Sequence, residues 1–326
     1  MSRKVKWGVL GTAGIAYGQT IPGMLQAENC ELYAIAGRSM EKAEQFKAKF
    51  GFEKAYGSYD EMLNDPAVEA VYIPLPNDLH AEWTIKAIKA KKHVLCEKPM
   101  AVNAAQLEEM LKAAEENGVF LMEAFAYLHS PYVASIKNDL DSGLIGDVRY
   151  MEAAFITRAR GAEDIRLRKE TYGGALYDLG CYNTSLATWL LNEEPVNVEA
   201  MAEMTECGID IWSTAMAKYA DGKRALLKCG MITNGAEQTR IDELRIHGTK
   251  GTLRSEVQYN QEGEMTYKVY VNGETITRTL TARQNYALEV EQLGRCITDG
   301  EQPHVSHNFS RMNARLMDRI LEKIGY

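Results

Sequence analysis

Apolar runs and helical segments alternate along roughly the first 125 residues of this 326-residue chain. Strands are predicted at residues 31–36, 68–73, 93–96 and 119–123, after a first apolar run that begins at residue 5. Helices are predicted at 40–50, 79–90 and 104–117, with a short helical turn at 59–63. Strands separated by helical segments of this length predict βαβ units and a doubly wound parallel sheet.

Residues that favour helix ends mark the boundaries of these predicted helices. They are Ser39, Asn103 and either Asn77 or Asp78 at the N-termini, and Gly51 and Gly118 at the C-termini. Each residue type has a physical reason to be there, because a short polar side chain accepts a bond from a free backbone N–H. A glycine adopts the left-handed conformation that ends a helix.

The pattern changes after about residue 125, where strand candidates follow one another instead of alternating with helices. Strands are predicted at 148–157, 196–206, 210–220, 224–232, 240–247, 251–259, 265–271 and 274–280, and helices at 132–140, 175–191, 285–298 and 310–324. The pairs Asp221-Gly222 and Asn272-Gly273 are typical of antiparallel hairpin turns. We therefore predict an α/β chain of two domains, residues 1–125 with the parallel sheet and residues 126–326 with an α+β fold on a mostly antiparallel, open-faced sheet.

The first apolar run ends in a turn of small residues, Gly11-Thr12-Ala13-Gly14-Ile15-Ala16. Such a turn lets backbone N–H groups and the following helix N-terminus approach a pyrophosphate, with Gly11 supplying the tight bend. Ala13 replaces the second glycine of G-x-G-x-x-G and leaves less room for the pyrophosphate. A tight turn without a ligand is the alternative, but a glycine turn after the first strand is where a dinucleotide-binding Rossmann fold usually begins.

Arg38 and Ser39 follow the second strand, about 20 residues beyond the glycine turn, where NAD-binding folds place an acidic residue on the ribose 2′-hydroxyl. An arginine and a serine suit a 2′-phosphate instead. The sequence therefore predicts NADP as the cofactor, and Arg38 should favour NADP over NAD. In the alternative, Arg38 is an exposed residue beside a helix cap and the cofactor is NAD.

Two further loops lie at the carboxyl ends of the first domain's strands, where open α/β sheets bind ligands. Prolines shape the segment from Pro74 to His80, and His80 is either a first-turn helix residue or a catalytic one. Lys98 stands between Glu97 and Pro99, directly after a buried strand. Burial and neighbouring charges can lower the pKa of such a lysine below its usual value of about 10.4, and the following proline permits a cis bond.

Composition excludes several classes of function. The net charge of −8 argues against nucleic-acid and anionic-membrane partners, both of which need a basic face. No apolar stretch approaches the roughly 20 residues of a membrane span, and the first strand leaves no room for a signal peptide. The cysteines are scattered without a C-x-x-C pair, so no metal site is predicted. We expect a reduced, cytoplasmic protein.

Several segments together resemble the glucose–fructose oxidoreductase/inositol dehydrogenase (Gfo/Idh/MocA) family over nearly the whole chain. They are residues 8–16, 74–80, 97–99, 122–125 and 173–182. In that family the lysine of Glu97-Lys98-Pro99 is catalytic, which points to Lys98. Tyr182 stands where many members have histidine. It resembles the branch with dimeric dihydrodiol dehydrogenases, NADP-dependent D-xylose dehydrogenases and glucose–fructose oxidoreductase. The last of these carries an export signal that this chain lacks.

The resemblance also implies which residues contact the cofactor. Including the residues of the glycine turn and of the loop after the second strand, the expected cofactor contacts are Gly11, Thr12, Ala13, Gly14, Ile15, Arg38, Ser39, Pro74, Asn77, His80, Glu97, Lys98, Glu123 and Arg166. Arg166 belongs to a basic segment, 158–168, that is otherwise expected to be a solvated loop. Asp178 and Tyr182 are four residues apart, so they share one helix face. Gly180 between them indicates either close approach of the nicotinamide ring or packing of the helix on a sheet.

These observations predict an NADP-dependent oxidoreductase that moves a hydride between nicotinamide and the carbinol carbon of a sugar, polyol or cyclic diol. Tyr182 would exchange the proton at the substrate oxygen and Lys98 would stabilise its phenolate. Asp178 would hold a substrate hydroxyl or position the pair. The alternatives are an NAD-dependent inositol or sugar dehydrogenase and a non-catalytic NADP(H)-binding sensor. We also expect a homodimer or a dimer of dimers, formed through the second domain's sheet.

Overall fold

The computed structural model describes residues 3–161, 163–233, 240–256, 259 and 262–326. The strands are β1 Val5–Leu10, β2 Cys30–Ala36, β3 Lys54–Tyr56, β4 Ala70–Ile73, β5 His93–Glu97, β6 Leu121–Ala124, β7 Val148–Arg158, β8 Asn197–Met204, β9 Asp210–Lys218, β10 Arg224–Thr233, β11 Arg240–Gly248, β12 Gly251–Ser255, β13 Gly263–Val271 and β14 Glu274–Ala282. The helices are α1 Ile21–Gln26, α2 Met40–Phe50, α3 Tyr59–Leu63, α4 Asn77–Lys89, α5 Ala104–Asn117, α6 Pro131–Asp141, α7 Cys181–Leu191, α8 Asn285–Asp299 and α9 His307–Ile324.

The chain divides into two compact units. The first contains Met1–His129 and Arg283–His307, and the second contains Ser130–Ala282 and Asn308–Tyr326. The predicted boundary at residue 125 is close to the observed one at residue 129. The predicted extent of the second domain is wrong in one segment, because α8 returns to the first unit. There Gly23 of α1 lets the two helices approach, since a Cβ on Gly23 would lie 2.6 Å from the Cβ of Tyr286.

The first unit is built on a parallel sheet with strand order β3-β2-β1-β4-β5-β6 in the described residues, which confirms the doubly wound fold. Strand β1 is central and pairs with β2 on one side and β4 on the other. The order of strands reverses at β1, so the loops after β1, β2, β4 and β5 meet at the carboxyl edge of the sheet. That edge is where doubly wound sheets bind ligands.

Helix ends in the first unit follow the sequence signals with one exception. Ser39 accepts a bond from the N–H of Lys42, and Asn103 caps α5 in the same way. Gly51 and Gly118 end α2 and α5 with φ of 82° and 65°. The predicted capping of α4 by Asn77 or Asp78 is wrong, because the extended Pro76 occupies the N-cap position and Asn77 is already helical.

The second unit contains a sheet with strand order β14-β13-β12-β11-β7-β10-β9-β8 in the described residues. Its pairs are antiparallel except for β7 with β10, which confirms the mostly antiparallel prediction. The turn between β13 and β14 has Asn272 and Gly273 at positive φ, 52° and 77°, as a type I′ hairpin requires. Helix α7 packs on β7 and β10.

The predicted helix over 175–191 consists of two different helices. Leu176–Gly180 form a π-helix, and α7 continues from there. A Cβ on Gly180 would lie 3.0 Å from the Sγ of Cys229 in β10, so this glycine packs the helix against the sheet. That contact favours the packing alternative for Gly180 over contact with a nicotinamide ring. In the described ranges, no helix combines the length and apolar character that crossing a membrane requires.

Candidate active site

The glycine turn has the geometry that its sequence predicts. Gly11 adopts a φ of +136°, which side chains rarely allow, and its N–H donates to the carbonyl of Ala36 at the end of β2 (2.9 Å). A Cβ on Gly11 would also lie 3.0 Å from a methyl of Leu75 in the loop after β4. Gly11 therefore joins the turn closely to the loops of both neighbouring strands, which only a glycine permits.

The rest of the turn presents backbone to open space. Gly14 is exposed, and a Cβ placed on it would contact nothing within 4 Å among the described residues. The helix that follows makes its first backbone bond from the N–H of Tyr17 to the carbonyl of Ala13 (3.0 Å). The N–H groups of Gly14 and Ile15 come before this bond, so they have no intrahelical acceptor and suit an anion.

The loop after β2 lies against the glycine turn. A Cβ on Gly37 would be 3.3 Å from a methyl of Thr12. The two residues that follow, Arg38 and Ser39, are both exposed, and Ser39 caps α2. Arg38 is thus a solvent-accessible cation next to the turn that would bind the phosphates.

Tyr59 belongs to the same edge, although its residue type gave no signal in the sequence. Its hydroxyl lies 3.8 Å from the position of a Cβ on Gly11, and its ring packs edge-on against Trp83 at 4.8 Å. Burial raises the pKa of Tyr59, and the positive charge of Arg38 opposes that rise. Only the strand order could have indicated this position of Tyr59, because the order β3-β2-β1 brings the start of α3 beside the loops after β1 and β2.

His80 is a buried link between two loops. The residue is 1% exposed, with Nδ1 2.9 Å from the carbonyl of Pro99 and Nε2 2.7 Å from that of Leu75. Burial lowers the pKa of His80, against the opposing effect of the two carbonyls. These contacts favour the reading of His80 as a helix residue that positions the loops, and the geometry gives no support to direct cofactor contact. Pro74 is buried in the same loop, while Asn77 is partly exposed.

Two glutamate carboxylates accept backbone N–H groups of the segment that contains Lys98. The Lys98–Pro99 bond is cis, as the sequence permitted. Glu97 accepts the N–H of Lys98 (3.2 Å), and Glu123 accepts the N–H of Met100 (3.0 Å). Both glutamates are less than a tenth exposed. These contacts indicate that Glu97 and Glu123 position the backbone around Lys98. From the sequence, both were expected only to contact the cofactor.

The second unit carries Asp178 and Tyr182 on a helix whose start is held from the sheet. The carboxylate of Asp210 in β9 accepts the N–H of Leu176 (2.9 Å) and the hydroxyl of Ser213 (2.5 Å). Asp210 is fully buried, and burial raises its pKa while these donors oppose the rise. It therefore acts as an N-cap supplied from a distant strand, which no local pattern could reveal.

Gly173 and Gly174 let the basic segment cross the start of this helix. The N–H of Gly174 donates to the carbonyl of Arg166 (2.7 Å), and that of Gly173 to the carbonyl of Arg168 (2.9 Å). A Cβ on Gly173 would lie 2.4 Å from the Arg166 carbonyl. The glycine pair is therefore required by close backbone packing, and it brings Arg166 to the helix that carries Asp178.

Asp178 and Arg166, predicted separately, form an ion pair. Nε of Arg166 lies 2.8 Å from Oδ2 of Asp178, and Nη2 of Arg160 lies 3.5 Å from the same oxygen. Oδ1 of Asp164 lies 3.3 Å from Nη1 of the same guanidinium. The charge of Asp178 is the main cause that raises the pKa of Arg166. Two guanidinium groups therefore engage Asp178, which favours a positioning role over direct acceptance of a substrate hydroxyl.

Tyr182 is held by aromatic packing on the sheet. Its ring centroid lies 5.3 Å from that of Phe155 in β7 and 4.8 Å from that of Tyr259. The hydroxyl of Tyr259 donates to Asn183 (3.1 Å), whose amide donates to the carbonyl of Lys228 (2.7 Å). Phe155 and Tyr259 fix the ring plane of Tyr182, and they come from distant segments that the sequence gave no reason to combine.

The glycine pair gives a stability prediction. Gly174→Ala should lower the free energy of unfolding by about 3–5 kcal/mol. Gly174 has φ +106°, and the new Cβ would lie 2.2 Å from Oδ1 of Asp210. Gly263→Ala is the matched control, because Gly263 has φ +99° with no neighbour described within 4 Å. It should lose only about 1–2 kcal/mol. Urea unfolding measures the free energy of unfolding of both variants. Equal losses would show that the carboxylate of Asp210 does not clash with the new side chain.

Two family profiles match this chain. Residues 5–125 match the profile GFO_IDH_MocA, an oxidoreductase family with an NAD-binding Rossmann fold. Residues 133–254 match the GFO/IDH/MocA C-terminal domain. A D-xylose 1-dehydrogenase (NADP(+)) from Haloferax volcanii is 33% identical over 97% of this chain and 96% of its own length. A trans-1,2-dihydrobenzene-1,2-diol dehydrogenase from Xenopus laevis is 32% identical over 98% of both chains.

Solved structures show the same fold over the full length. KijD10, a 3-ketoreductase from Actinomadura kijaniata in complex with NADP and TDP-benzene, superposes with a TM-score of 0.91 and 29% identity. The match covers 99% of this chain and 98% of that one. Solved variants of the same reductase replace a tyrosine by phenylalanine and a lysine by alanine or glutamate.

Proposed function

Because this chain belongs to the Gfo/Idh/MocA family of oxidoreductases, we propose that it transfers a hydride between NADP and the carbinol carbon of a sugar, polyol or cyclic diol. The observation that carries the proposal is the glycine turn. Gly11 joins it to the loops of both neighbouring strands, and the N–H groups of Gly14 and Ile15 precede the first helical bond. This is the arrangement that a dinucleotide pyrophosphate requires.

The loop after β2 supports NADP over NAD. Arg38 is exposed beside the glycine turn, and its charge acts on the nearby Tyr59. A guanidinium and a phenol are both donors for a 2′-phosphate, whereas the ribose hydroxyl of NAD calls for a carboxylate. The named xylose dehydrogenase uses NADP(+), and the solved ketoreductase holds NADP, which supports the same choice here.

Proton handling is assigned to Tyr182 and Lys98. The bound nicotinamide would supply the hydride chemistry, and the protein then has to orient the substrate and move one proton. A tyrosine has a pKa of about 10 when free, which a nearby ammonium lowers toward neutrality. Tyr182 would exchange the proton at the substrate oxygen, Lys98 would favour its phenolate, and Asp178, paired with Arg166, would position the helix segment.

Two other functions predict different results. An NAD-dependent sugar or inositol dehydrogenase would bind NAD at least as tightly as NADP. A non-catalytic NADP(H)-binding sensor would bind NADP and turn over nothing, although a sensor has no need of a lysine and a tyrosine for proton transfer. A cytoplasmic location stays a prediction of the sequence alone.

A panel of sugars, polyols and cyclic diols, assayed with both cofactors at the nicotinamide absorbance, tests the proposal. We expect NADP-linked turnover of at least one member of the panel. Tight binding of NADP without turnover of any member would support the sensor, and NAD-linked turnover alone would support the NAD-dependent enzyme. Which sugar or diol is used depends on loops of the second unit, whose residues match no specificity motif.

The outer face of the second unit's sheet predicts a homodimer. Met201 and Met216 are 73% and 48% exposed on this face, and Trp212 and Leu226 lie on it at neighbouring register positions. Exposed apolar side chains grouped on one face are typical of an interface. Light scattering should give twice the chain mass of 36.5 kDa. Met216→Glu should give the monomer, whereas Leu25→Glu in α1, 57% exposed, should leave the mass unchanged. A monomeric wild type would contradict the prediction.

A further inference from the structure

Tyr72 brings a hydroxyl group into a strand that is otherwise apolar. It belongs to β4, whose four residues are all buried, and Tyr72 itself is 0% exposed. In the register of the parallel sheet it lies opposite Leu95 of β5. Side chains two residues apart on a strand share a face, so Glu97, two residues beyond Leu95, is on the same face as Tyr72. The sheet therefore brings a buried phenol and a buried carboxylate together.

The hydroxyl of Tyr72 lies between a donor and an acceptor. It accepts the hydroxyl of Thr20 at 2.8 Å and donates to Oε1 of Glu97 at 2.5 Å. The other oxygen of Glu97, Oε2, accepts the N–H of Lys98 at 3.2 Å. Thr20 ends the π-helix Ala16–Thr20, which follows the glycine turn. Thr20, Tyr72 and Glu97, here called the hydroxyl line, therefore join the helix after that turn to the backbone of Lys98.

Burial makes each bond of the hydroxyl line directional. All three of its residues are less than a tenth exposed. Burial raises the pKa of Tyr72 well above its usual value, and the charge of Glu97 raises it further, so the phenol keeps its proton. An ionised carboxylate only accepts, so the Tyr72 hydrogen points to Glu97 and a phenol lone pair takes the bond from Thr20. Tyr72 thus fixes one oxygen of Glu97 while the other accepts from Lys98.

We propose that Tyr72 is a positioning residue for the reaction. Its hydroxyl, itself held by Thr20, fixes the carboxylate of Glu97 and through it the backbone that carries Lys98. The helix after the glycine turn is thereby tied to the lysine that is assigned to proton handling. The positioning role rests on the proposed function of Lys98, whereas the hydrogen bonds of the hydroxyl line do not.

Urea unfolding of Thr20→Val, Tyr72→Phe and the double variant tests the hydroxyl line without any substrate. Removing one partner leaves a buried polar group unsatisfied, whereas replacing both partners by apolar groups of the same shape is nearly neutral. Thr20→Val should therefore lower the urea midpoint in the wild-type background. In the Tyr72→Phe background, where the Thr20 hydroxyl has lost its acceptor, the same change should leave the midpoint unchanged or raise it. Equal losses in both backgrounds would overturn the bond between the two hydroxyls.

Kinetics test the positioning role, with Tyr33→Phe as the matched control. Tyr33 is a 3% exposed tyrosine of β2 in the same sheet, and its hydroxyl donates to the carboxylate of Asp65 (3.1 Å). Tyr72→Phe should lower kcat by about tenfold to a hundredfold, the factor that one hydrogen bond to a charged group contributes, and change the Kd of NADPH by less than about threefold. Tyr33→Phe also removes a buried bond to a carboxylate, but it should keep the wild-type kcat.

A double-mutant cycle with Glu97→Gln tests whether Tyr72 acts through Glu97. An amide has only one acceptor oxygen, so a glutamine cannot accept from Tyr72 with one oxygen and from Lys98 with another. Once that connection is broken, the Tyr72 hydroxyl no longer controls the backbone of Lys98. Tyr72→Phe should therefore lower kcat by less than about threefold in the Glu97→Gln background, as residues that act through one another are non-additive.

Wild-type kcat in Tyr72→Phe, equal losses in Tyr72→Phe and Tyr33→Phe, or a full loss in the Glu97→Gln background would each overturn the positioning role. If Tyr72→Phe alone does not fold, the double variant with Thr20→Val, which leaves no unpaired hydroxyl, takes its place in the kinetics. Absence of turnover in every protein, wild type included, would contradict the proposed function and the positioning role with it. The urea midpoints would still decide whether the two hydroxyls are bonded.

Discussion

Replacing Tyr182 by phenylalanine should lower kcat by about 10²–10⁴-fold, the usual contribution of a general acid–base group. The substitution keeps the ring that packs on Phe155 and Tyr259 and removes only the hydroxyl. Lys98→Met should cost a similar factor, because without the ammonium the phenol keeps a pKa too high for a base near neutrality. Affinity for NADPH should change little in Tyr182→Phe and somewhat more in Lys98→Met.

The double variant distinguishes one proton-transfer unit from two independent residues. Lys98 and Tyr182 belong to different units of the fold, so kinetics is the direct test of whether they act in one step. If they do, the double variant should lose little more than either single variant, as residues that act together are strongly non-additive. Tyr270→Phe and Lys89→Met, both at exposed positions, are the matched controls and should keep wild-type kcat. Near-wild-type turnover in Tyr182→Phe would contradict the assignment.

Wild type should bind NADP more tightly than NAD by about tenfold to a hundredfold, and Arg38→Asp should reverse the preference. A charge-assisted hydrogen bond to a phosphate contributes about 1.5–3 kcal/mol, which corresponds to those factors. The aspartate repels the 2′-phosphate and accepts from the ribose hydroxyl of NAD. Fluorescence titration of wild type and variant with both reduced cofactors measures the two affinities.

Lys112→Asp is the control for this charge reversal. Its side chain is 75% exposed in α5, and it changes the net charge by the same amount as Arg38→Asp. The NADP preference should therefore stay at the wild-type value in the control. Equal binding of NAD and NADP by wild type would instead show that Arg38 is only a surface residue.

Local patterns predicted most of the fold because each βα unit carries its own signals. The strands are apolar runs, and Ser39, Asn103, Gly51 and Gly118 mark helix ends through bonds within a few residues. The misses come from longer-range effects. The strand β3 is only three residues long and half-buried, so it has no apolar run. Helix α8 is amphipathic, and an apolar face alone does not show which of the two sheets the helix covers.

The sequence predicted the motifs of the candidate site, but it predicted few of the contacts that their side chains make. The strand-end loops were recognised because strand order brings them to one edge. Residue type alone did not show that His80, Glu97 and Glu123 contact backbone groups, or that Arg166 pairs with Asp178. Asp210, Phe155 and Tyr259 reach Leu176 and Tyr182 from distant segments of the second unit, and a single sequence carries no signal for such contacts.

Hydride transfer itself is measured most directly with NADPH that carries deuterium at both C4 positions and the oxidised, carbonyl form of a substrate found in the panel. The account predicts that one deuterium appears at the carbinol carbon of the alcohol product, seen by mass spectrometry and NMR. It also predicts that the rate of incorporation falls with kcat in Tyr182→Phe and Lys98→Met. NADPH oxidation without deuterium at that carbon, or incorporation at the wild-type rate in both variants, would contradict it.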